Sequence, residues 1–236
     1  MALLWSLLYV DPLIILSTIV FGGISVVQSF FDKTGDAMIG TARVWARSLV
    51  AIARVRVTVE GLEKIDPKRP YVFAANHLSY MDTPVVLGRI PVQFRFMAKS
   101  GLFKIPFLGT HLAQAGHIPV PLEDPRAAVK TLSLAAQTIR ERGISILVFP
   151  EGGRSDDGVL QEFKEGAAYI AIKAGVPIVP VALAGTRQIL AMHSATFHSG
   201  RVTLRIDDPI ETKDLRLSDR GELTDRVRGR IVEMLK

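Results

Sequence analysis

The segment Asn76-His77-Leu78-Ser79-Tyr80-Met81-Asp82-Thr83-Pro84 places a histidine five residues ahead of an aspartate. Histidine is the side chain whose ordinary pKa lies near neutrality, so it can take a proton from a hydroxyl at cellular pH. A carboxylate on the far ring nitrogen fixes the tautomer and stabilises the imidazolium formed during attack. Residues five apart on a regular helix point about 140° away from one another. His77 and Asp82 therefore meet only if the segment is a loop running into a first helical turn. Thr83-Pro84 fits such a turn, where proline is best accommodated. The same residues carry a second reading. Ser79-x-x-Asp82 has the form of a capping box, Asp82 can itself cap a helix ahead of Thr83-Pro84, and His77 can be a surface histidine after a strand.

A second segment, Phe149-Pro150-Glu151-Gly152-Gly153-Arg154-Ser155, joins glycines to a cation. Glycines let backbone amides approach a ligand, and an arginine holds a phosphate through two parallel hydrogen bonds. Glu151 can accept a hydrogen bond from a hydroxyl. The alternative is a strand-end turn whose charges are solvated. Phe163-Lys164-x-Gly166 then sets a cation at a helix start, where the macrodipole does not reward it, and this points to an anionic ligand.

The elements around these segments alternate. Strands are predicted over 55–59, 71–75, 93–98, 117–120, 144–149, 176–183 and 201–206, from period-two alternation or short apolar runs. Asp124-Pro125 starts a helix with apolar Val129, Leu132, Ala136 and Ile139 at helical spacing, and Gly143 stops it. A second helix over 163–174 is closed by Gly175, and 218–235 forms a terminal helix. Strands interleaved with helices of this length predict an α/β domain with a mixed, largely parallel sheet flanked by helices. His77 then stands where a buried strand leaves the sheet, the position at which ligand chemistry gathers in open α/β sheets.

The chain of 236 residues is long enough for one domain, or one domain with an appendage. It has no cysteine, which excludes disulfides, thiolate metal sites and cysteine nucleophiles. The net charge of +6 suits anionic partners. There is no run of basic residues and no nucleic-acid-binding signature, so anionic lipid or substrate is expected and nucleic acid is not. Mean hydropathy is +0.27, and the excess is local: from Met1 to Phe31 the one formally charged side chain is Asp11. The stretch from Pro12 to Phe31 has about the 20 residues that cross a bilayer core as a helix. No Lys or Arg precedes it, against a signal peptide. Asp11-Pro12 and Gly22-Gly23 also permit a hairpin of two shorter helices within one leaflet. Arg43, Arg47 and Trp45 suit a helix lying against anionic headgroups, with Arg54 and Arg56 following. The division expected is therefore a membrane anchor with a basic interfacial helix over 1–54 and a catalytic α/β domain over 55–236. The positive-inside rule sets that domain on the cytoplasmic face of the membrane.

Four blocks in order resemble those of the bacterial 1-acyl-sn-glycerol-3-phosphate acyltransferases, within the glycerolipid acyltransferase superfamily. They are Asn76-His77-x-x-x-x-Asp82, Lys99-Ser100-Gly101-Leu102-Phe103 with Pro106 and Gly109, Phe149 to Ser155, and Val176-Pro177-Ile178-Val179-Pro180-Val181. The resemblance implies acyl transfer with no covalent enzyme intermediate. His77, oriented by Asp82, takes the proton of the sn-2 hydroxyl of lysophosphatidate, which attacks the thioester of acyl-CoA or acyl-carrier protein and gives phosphatidate. It implies Glu151, Gly152, Arg154 and Ser155 at the glycerol-phosphate end, Lys99 and Lys164 as further cations, and a fourth block lining the acyl site. It requires no metal and no bound cofactor. Two departures stand out: after Gly116 the family usually carries an arginine just past its short strand, where this chain runs His117-Ile118-Pro119-Val120-Pro121-Leu122-Glu123, and Gly153 replaces a common threonine. The first leaves the acceptor open to another lyso-lipid, such as a lyso-ornithine lipid, or to glycerol-3-phosphate. A non-catalytic membrane lipid-binding protein is the alternative of another class, and the chain has no Gly-x-Ser-x-Gly elbow to favour a hydrolase.

Overall fold

The computed structural model describes residues 2–121 and 123–236. Met1, the first residue of the expected anchor, lies outside them. The apolar N-terminus is helical from end to end: α1 (Ala2–Trp5), a π-helical turn at Ser6–Val10 and α2 (Asp11–Ser29) follow without a break. Asp11-Pro12 follows the π-helical turn at the start of α2, and Gly22-Gly23 runs through its middle. The two dipeptides that permit a hairpin therefore do not make one.

The rest follows in the order α3 (Asp36–Ile52), β1 (Val55–Glu60), β2 (Val72–Ala75), α4 (Asp82–Arg89), β3 (Phe94–Lys99), α5 (Leu108–Gln114), β4 (Ile118–Val120), α6 (Pro125–Arg142), β5 (Ser145–Val148), α7 (Gly166–Ala174), β6 (Ile178–Ala184), α8 (Thr186–Ile189), β7 (Gly200–Ile206) and α9 (Arg220–Met234). The punctuation works as the residues dictate. Asp124 Oδ1 accepts from the amides of Arg126 and Ala127, both at 3.0 Å, and Gly143 ends α6 at a φ of +63°.

Seven strands form one sheet in the order β1-β7-β6-β2-β5-β3-β4, parallel throughout except between β6 and β7. The predicted fold class holds. One antiparallel step has a large consequence. It brings the amino ends of β1 and β7 to the same rim as the carboxyl ends of β2, β3, β5 and β6.

Alternate residues divide the core. Phe73 and Ala75 of β2 face α3 and α4, and Val72 and Ala74 face α6, α7 and α9. The helix α3 differs from its expected interfacial role. Met38, Ile39, Ala42, Ala46 and Val50 make a stripe at helical spacing that covers the sheet. Its flanking polar groups turn inward as well. Arg43 donates to the Val92 carbonyl, Arg47 Nε to the Gly88 carbonyl at 2.9 Å, and the Trp45 indole to Thr18 Oγ1 at 3.1 Å. The two arginine contacts satisfy main-chain carbonyls at the end of α4 and before β3, and the tryptophan ties α3 to α2.

The N-terminal helix docks along the outside of α3. Ser17 pairs with Ser48 at 2.6 Å and Thr41 donates to Gln28 at 2.8 Å. Ser25 meets His111 of α5 at 2.6 Å, and Ser6 Oγ accepts from the Phe197 amide at 3.0 Å. The far side of this helix, including Leu4, Leu8, Ile15, Ile19 and Val27, is exposed and apolar.

The cation that the resemblance leads one to expect falls past β4, where Leu122 lies outside the described residues; His117 opens that run. It is buried, and its Nδ1 accepts from the Phe96 amide at 2.9 Å, tying the start of β4 to β3. Burial first, then the charges of His111 and Arg95, pushes its pKa from 6.5 to about 3. Between those values the unfolded chain binds more protons than the folded one, so this stability is complete above about 6.5 and is lost as pH falls toward 3. We expect His117→Asn, whose amide oxygen can still accept from Phe96, to flatten unfolding free energy against pH between about pH 6 and about pH 4. Denaturant titrations across that range measure it, and an unchanged slope would mean other groups set the acid limit.

Candidate active site

The chain leaves β2 through Asn76, which is fully buried. Its side-chain amide donates to the Leu183 carbonyl at 3.0 Å, and its oxygen accepts from the Leu183 amide at 2.7 Å. Asn76 thus replaces one rung of the β2–β6 ladder and frees the next residue from the sheet.

That residue is His77. Its Nδ1 lies 2.8 Å from Asp82 Oδ2. The same oxygen accepts from the amides of Leu78 at 2.7 Å and Ser79 at 2.8 Å. Asp82 opens α4 and reaches backwards, so the loop geometry that lets His77 and Asp82 meet is present. Ser79 holds the loop further: its hydroxyl donates to the Leu190 carbonyl at 2.6 Å and accepts from the Met81 amide at 3.0 Å. Because a carboxylate can only accept, the Nδ1 hydrogen points at Asp82 and the lone pair is left on Nε2. Among the described residues Nε2 makes no hydrogen bond.

The ring lies flat on Phe149, with centroids 3.8 Å apart and planes 11° from parallel. Burial lowers the His77 pKa, the Asp82 hydrogen bond and charge oppose that, and the charge of Arg154 lowers it again. The net direction is downward, which keeps the ring neutral near pH 7 and able to accept a proton.

Glu151 sits beneath this loop. One carboxylate oxygen accepts from the His77 amide at 2.5 Å and the other from the Gln161 amide at 2.9 Å. It is 4% exposed, and burial raises its pKa against the pull of those amides. Both oxygens are engaged with main chain, so Glu151 ties the β2 and β5 loops together and is not presented outward. Ser155 is also internal. It donates to Asp157 at 2.8 Å and accepts from the Gly158 amide at 2.9 Å, while its own amide donates to the His77 carbonyl at 3.0 Å.

Arg154 is placed otherwise. Its guanidinium lies 4.6 Å from the centre of the Tyr80 ring, and its Nε is buried with no partner among the described residues. A neutral imidazole with a free nitrogen beside a half-buried guanidinium fits removal of a proton from a molecule that carries an anionic group.

A family model described as Acyltransferase matches residues 56–184, more than half of the chain. The chain belongs to this acyltransferase family. It is 36% identical over 171 residues to the chloroplastic 1-acyl-sn-glycerol-3-phosphate acyltransferase LPAT1 of Arabidopsis thaliana, covering 72% of this chain and 47% of that one. It is 32% identical over 215 residues to the 1-acyl-sn-glycerol-3-phosphate acyltransferase of Saccharomyces cerevisiae, covering 90% and 70%. The chain spans about half the length of the plant relatives, at 47% and 55%. The crystal structure of the 1-acyl-sn-glycerophosphate (LPA) acyltransferase PlsC from Thermotoga maritima superposes with a TM-score of 0.82 at 29% identity, over 97% of this chain and 92% of that one.

The acyltransferase fold brings only part of the expected set together. Lys164, exposed, lays its side chain over Gly152: a Cβ at Gly152, whose φ is +78°, would come within 2.7 Å of Lys164 Nζ. The left-handed φ favours glycine there, and the lysine does reach the Arg154 loop. Lys99 ends β3, two strands from β2, and pairs with Glu123 at 3.4 Å. Among the described residues no hydrogen bond or ion pair joins it to His77. The fourth block supplies the buried β6, whose Val179 and Val181 face the core beside β2. Three contributors escaped sequence reasoning: the Asn76 clamp, the Phe149 stack and the Tyr80 ring under Arg154. An asparagine closing a buried apolar run was the one available signal.

The Glu151 geometry makes a distinct prediction. Glu151→Gln cannot accept from both amides, so one buried N–H loses its partner, at about 1–3 kcal/mol. Denaturant unfolding of the ligand-free protein should register that loss. Unchanged stability would return Glu151 to a role in contacting substrate.

Proposed function

We propose that the chain transfers a fatty acyl group from acyl-CoA or acyl-carrier protein to the sn-2 hydroxyl of 1-acyl-sn-glycerol-3-phosphate, forming phosphatidate. The observation that carries this is the neutral His77, held through Nδ1 by Asp82, with Nε2 free and Arg154 close enough to lower its pKa. The names of the relatives above support the choice of acceptor.

His77 Nε2 takes the hydroxyl proton as the oxygen attacks the thioester carbonyl carbon. The imidazolium that forms is stabilised by Asp82, which keeps its place because two main-chain amides also hold it. Collapse of the tetrahedral species breaks the carbon–sulfur bond, and the proton on Nε2 passes to the leaving thiolate. Arg154 and Lys164 hold the acceptor phosphate. Gly152 lets the lysine close over that loop, and Glu151 and Ser155 hold it in shape. Lys99 stands further along the same rim, within reach of the longer acyl donor.

Membrane association through the N-terminal helix fits this acceptor, which is itself lodged in a bilayer. The helix is 28 residues long and apolar enough to cross one. Its polar contacts with the body, however, run from Ser6 to Gln28. A perpendicular crossing would drag α3 and its arginines into hydrocarbon. We therefore infer that the helix lies lengthwise in the cytoplasmic leaflet, with α3 belonging to the catalytic body and anchoring confined to Ala2–Ser29.

His77→Ala should lower phosphatidate formation by roughly 10²–10⁴-fold, the usual worth of a positioned base. Radiolabelled acyl transfer by the detergent-solubilised protein reads this directly, and wild-type rates in the variant would end the mechanism. The proximity of Arg154 supplies a second test. A base must be unprotonated, so kcat/KM rises with pH through the His77 pKa, whose acid limb lies below the ordinary 6.5. Arg154→Gln removes a charge that lowers this pKa, so the acid limb moves to higher pH, whatever happens to KM. A limb that stays in place, or moves down, contradicts the proposed proximity of charge and base.

A further inference from the structure

The amino ends of β1 and β7 share the rim that carries His77, yet their charges have no part in the site above. Arg54, Arg56 and Arg201 line an open cavity of about 580 Å³ whose floor includes Ser199 and Gly200. Arg56 and Arg201 are register partners in a parallel pair, so their side chains leave the same face of the sheet side by side. Like charges directly opposite one another on a sheet destabilise it.

The rest of this face is matched. Thr58 stands beside Thr203, and Glu60 beside Arg205, with Arg205 Nε 2.9 Å from Glu60 Oε2. Among the described residues no carboxylate lies within ion-pair distance of Arg54, Arg56 or Arg201. Charge on an edge strand such as β1 deters stray pairing. That accounts for Arg56 and not for Arg201, which sits on the interior strand β7. Arg54 turns out of α3 at a φ of +51°, in the left-handed region that side chains rarely adopt, and its guanidinium lies 5.4 Å from the Tyr9 ring. Arg54 thus links the cavity wall to Tyr9 of the apolar N-terminal helix.

We propose that this cavity is a second anionic site, which takes the phosphate-bearing headgroup of an anionic membrane lipid. Guanidinium forks suit phosphate, and such a ligand supplies the counter-charge that the Arg56–Arg201 pair lacks. Arg201 on β7 and Arg56 on β1 stand three and four strand spacings from β5, whose loop carries Arg154, roughly 14 and 19 Å, so one phosphate cannot serve both sites. Bound there, a headgroup turns the His77 rim toward the bilayer. The proposal rests on the reading of the N-terminal helix as membrane-embedded.

The test is flotation of the full-length protein with vesicles of phosphatidylcholine alone, and with about a third of that lipid replaced by phosphatidylglycerol. The variants are Arg56→Gln/Arg201→Gln and, as a charge-matched control at the opposite rim, Lys68→Gln/Lys213→Gln. We expect the wild type to favour anionic vesicles. Losing the arginines should cut that preference by about fivefold for each one removed, while the lysine variant keeps it. Equal losses in both variants would mean diffuse charge and overturn the site. Equal flotation of the wild type with both vesicles overturns the site and leaves the anchor standing, whereas no flotation at all overturns both. If millimolar glycerol phosphate abolishes the preference, the cavity is a soluble-anion site and the lipid reading fails. Arg56→Gln alone relieves the like-charge contact, so it should melt no lower than the wild type and still lose part of the preference.

Discussion

A carboxylate removed from water needs hydrogen-bond donors to hold its charge, and at the rim of this sheet two such groups draw donors from one short loop, with Asp82 Oδ1 left unpartnered among the described residues. Asp82 accepts from the His77 ring and from two main-chain amides, while Glu151 accepts from the amide of His77 itself and from Gln161. His77 is thus held twice, by its ring and by its backbone, through groups that come from the start of α4 and from the loop after β5. Neither carboxylate can move without leaving buried donors unpaired. The nitrogen proposed as the base inherits its fixed position from that cost, and Phe149 stacks on the ring.

The sheet topology decides what can gather around this point. Parallel strands leave their carboxyl ends together, so loops from β2, β5 and β6 converge without any need for long excursions. The single antiparallel step at β7 adds two further things to the same rim: the arginine-bearing amino ends of β1 and β7, and the segment after α8 on which Ser6 of the N-terminal helix rests. Anchor, base and basic cavity therefore lie on one side of the molecule, an arrangement suited to a lipid acceptor that stays in its leaflet.

Much of the fold was legible in local signals. Asp124-Pro125, Gly143 and Gly175 mark helix ends because capping and left-handed φ are properties of a few neighbouring residues. The His77–Asp82 pair was legible for the same reason, its partners being five residues apart. What escaped depends on residues distant in the chain. An amphipathic helix with flanking arginines has one pattern whether its apolar stripe meets lipid or a sheet, and α3 meets the sheet. Glu151 in a glycine-rich turn looks ligand-facing until the amides of His77 and Gln161 are found on its two oxygens. The opposition of Arg56 to Arg201 exists only once β1 and β7 are paired.

Burial and the neighbouring guanidinium both lower the basicity of His77, which at first sight works against a general base. The two costs differ in kind. Desolvation is permanent, but the charge of Arg154 acts on the imidazole only while it is uncompensated. In the reaction proposed, the acceptor brings a phosphate that meets that charge, and the base strengthens as its substrate binds. Before binding, the same charge keeps His77 neutral and its lone pair free. On this proposal Asp82 Oδ2, with three donors, is committed to position, and the guanidinium of Arg154, whose Nε has no partner among the described residues, is the group that meets the ligand.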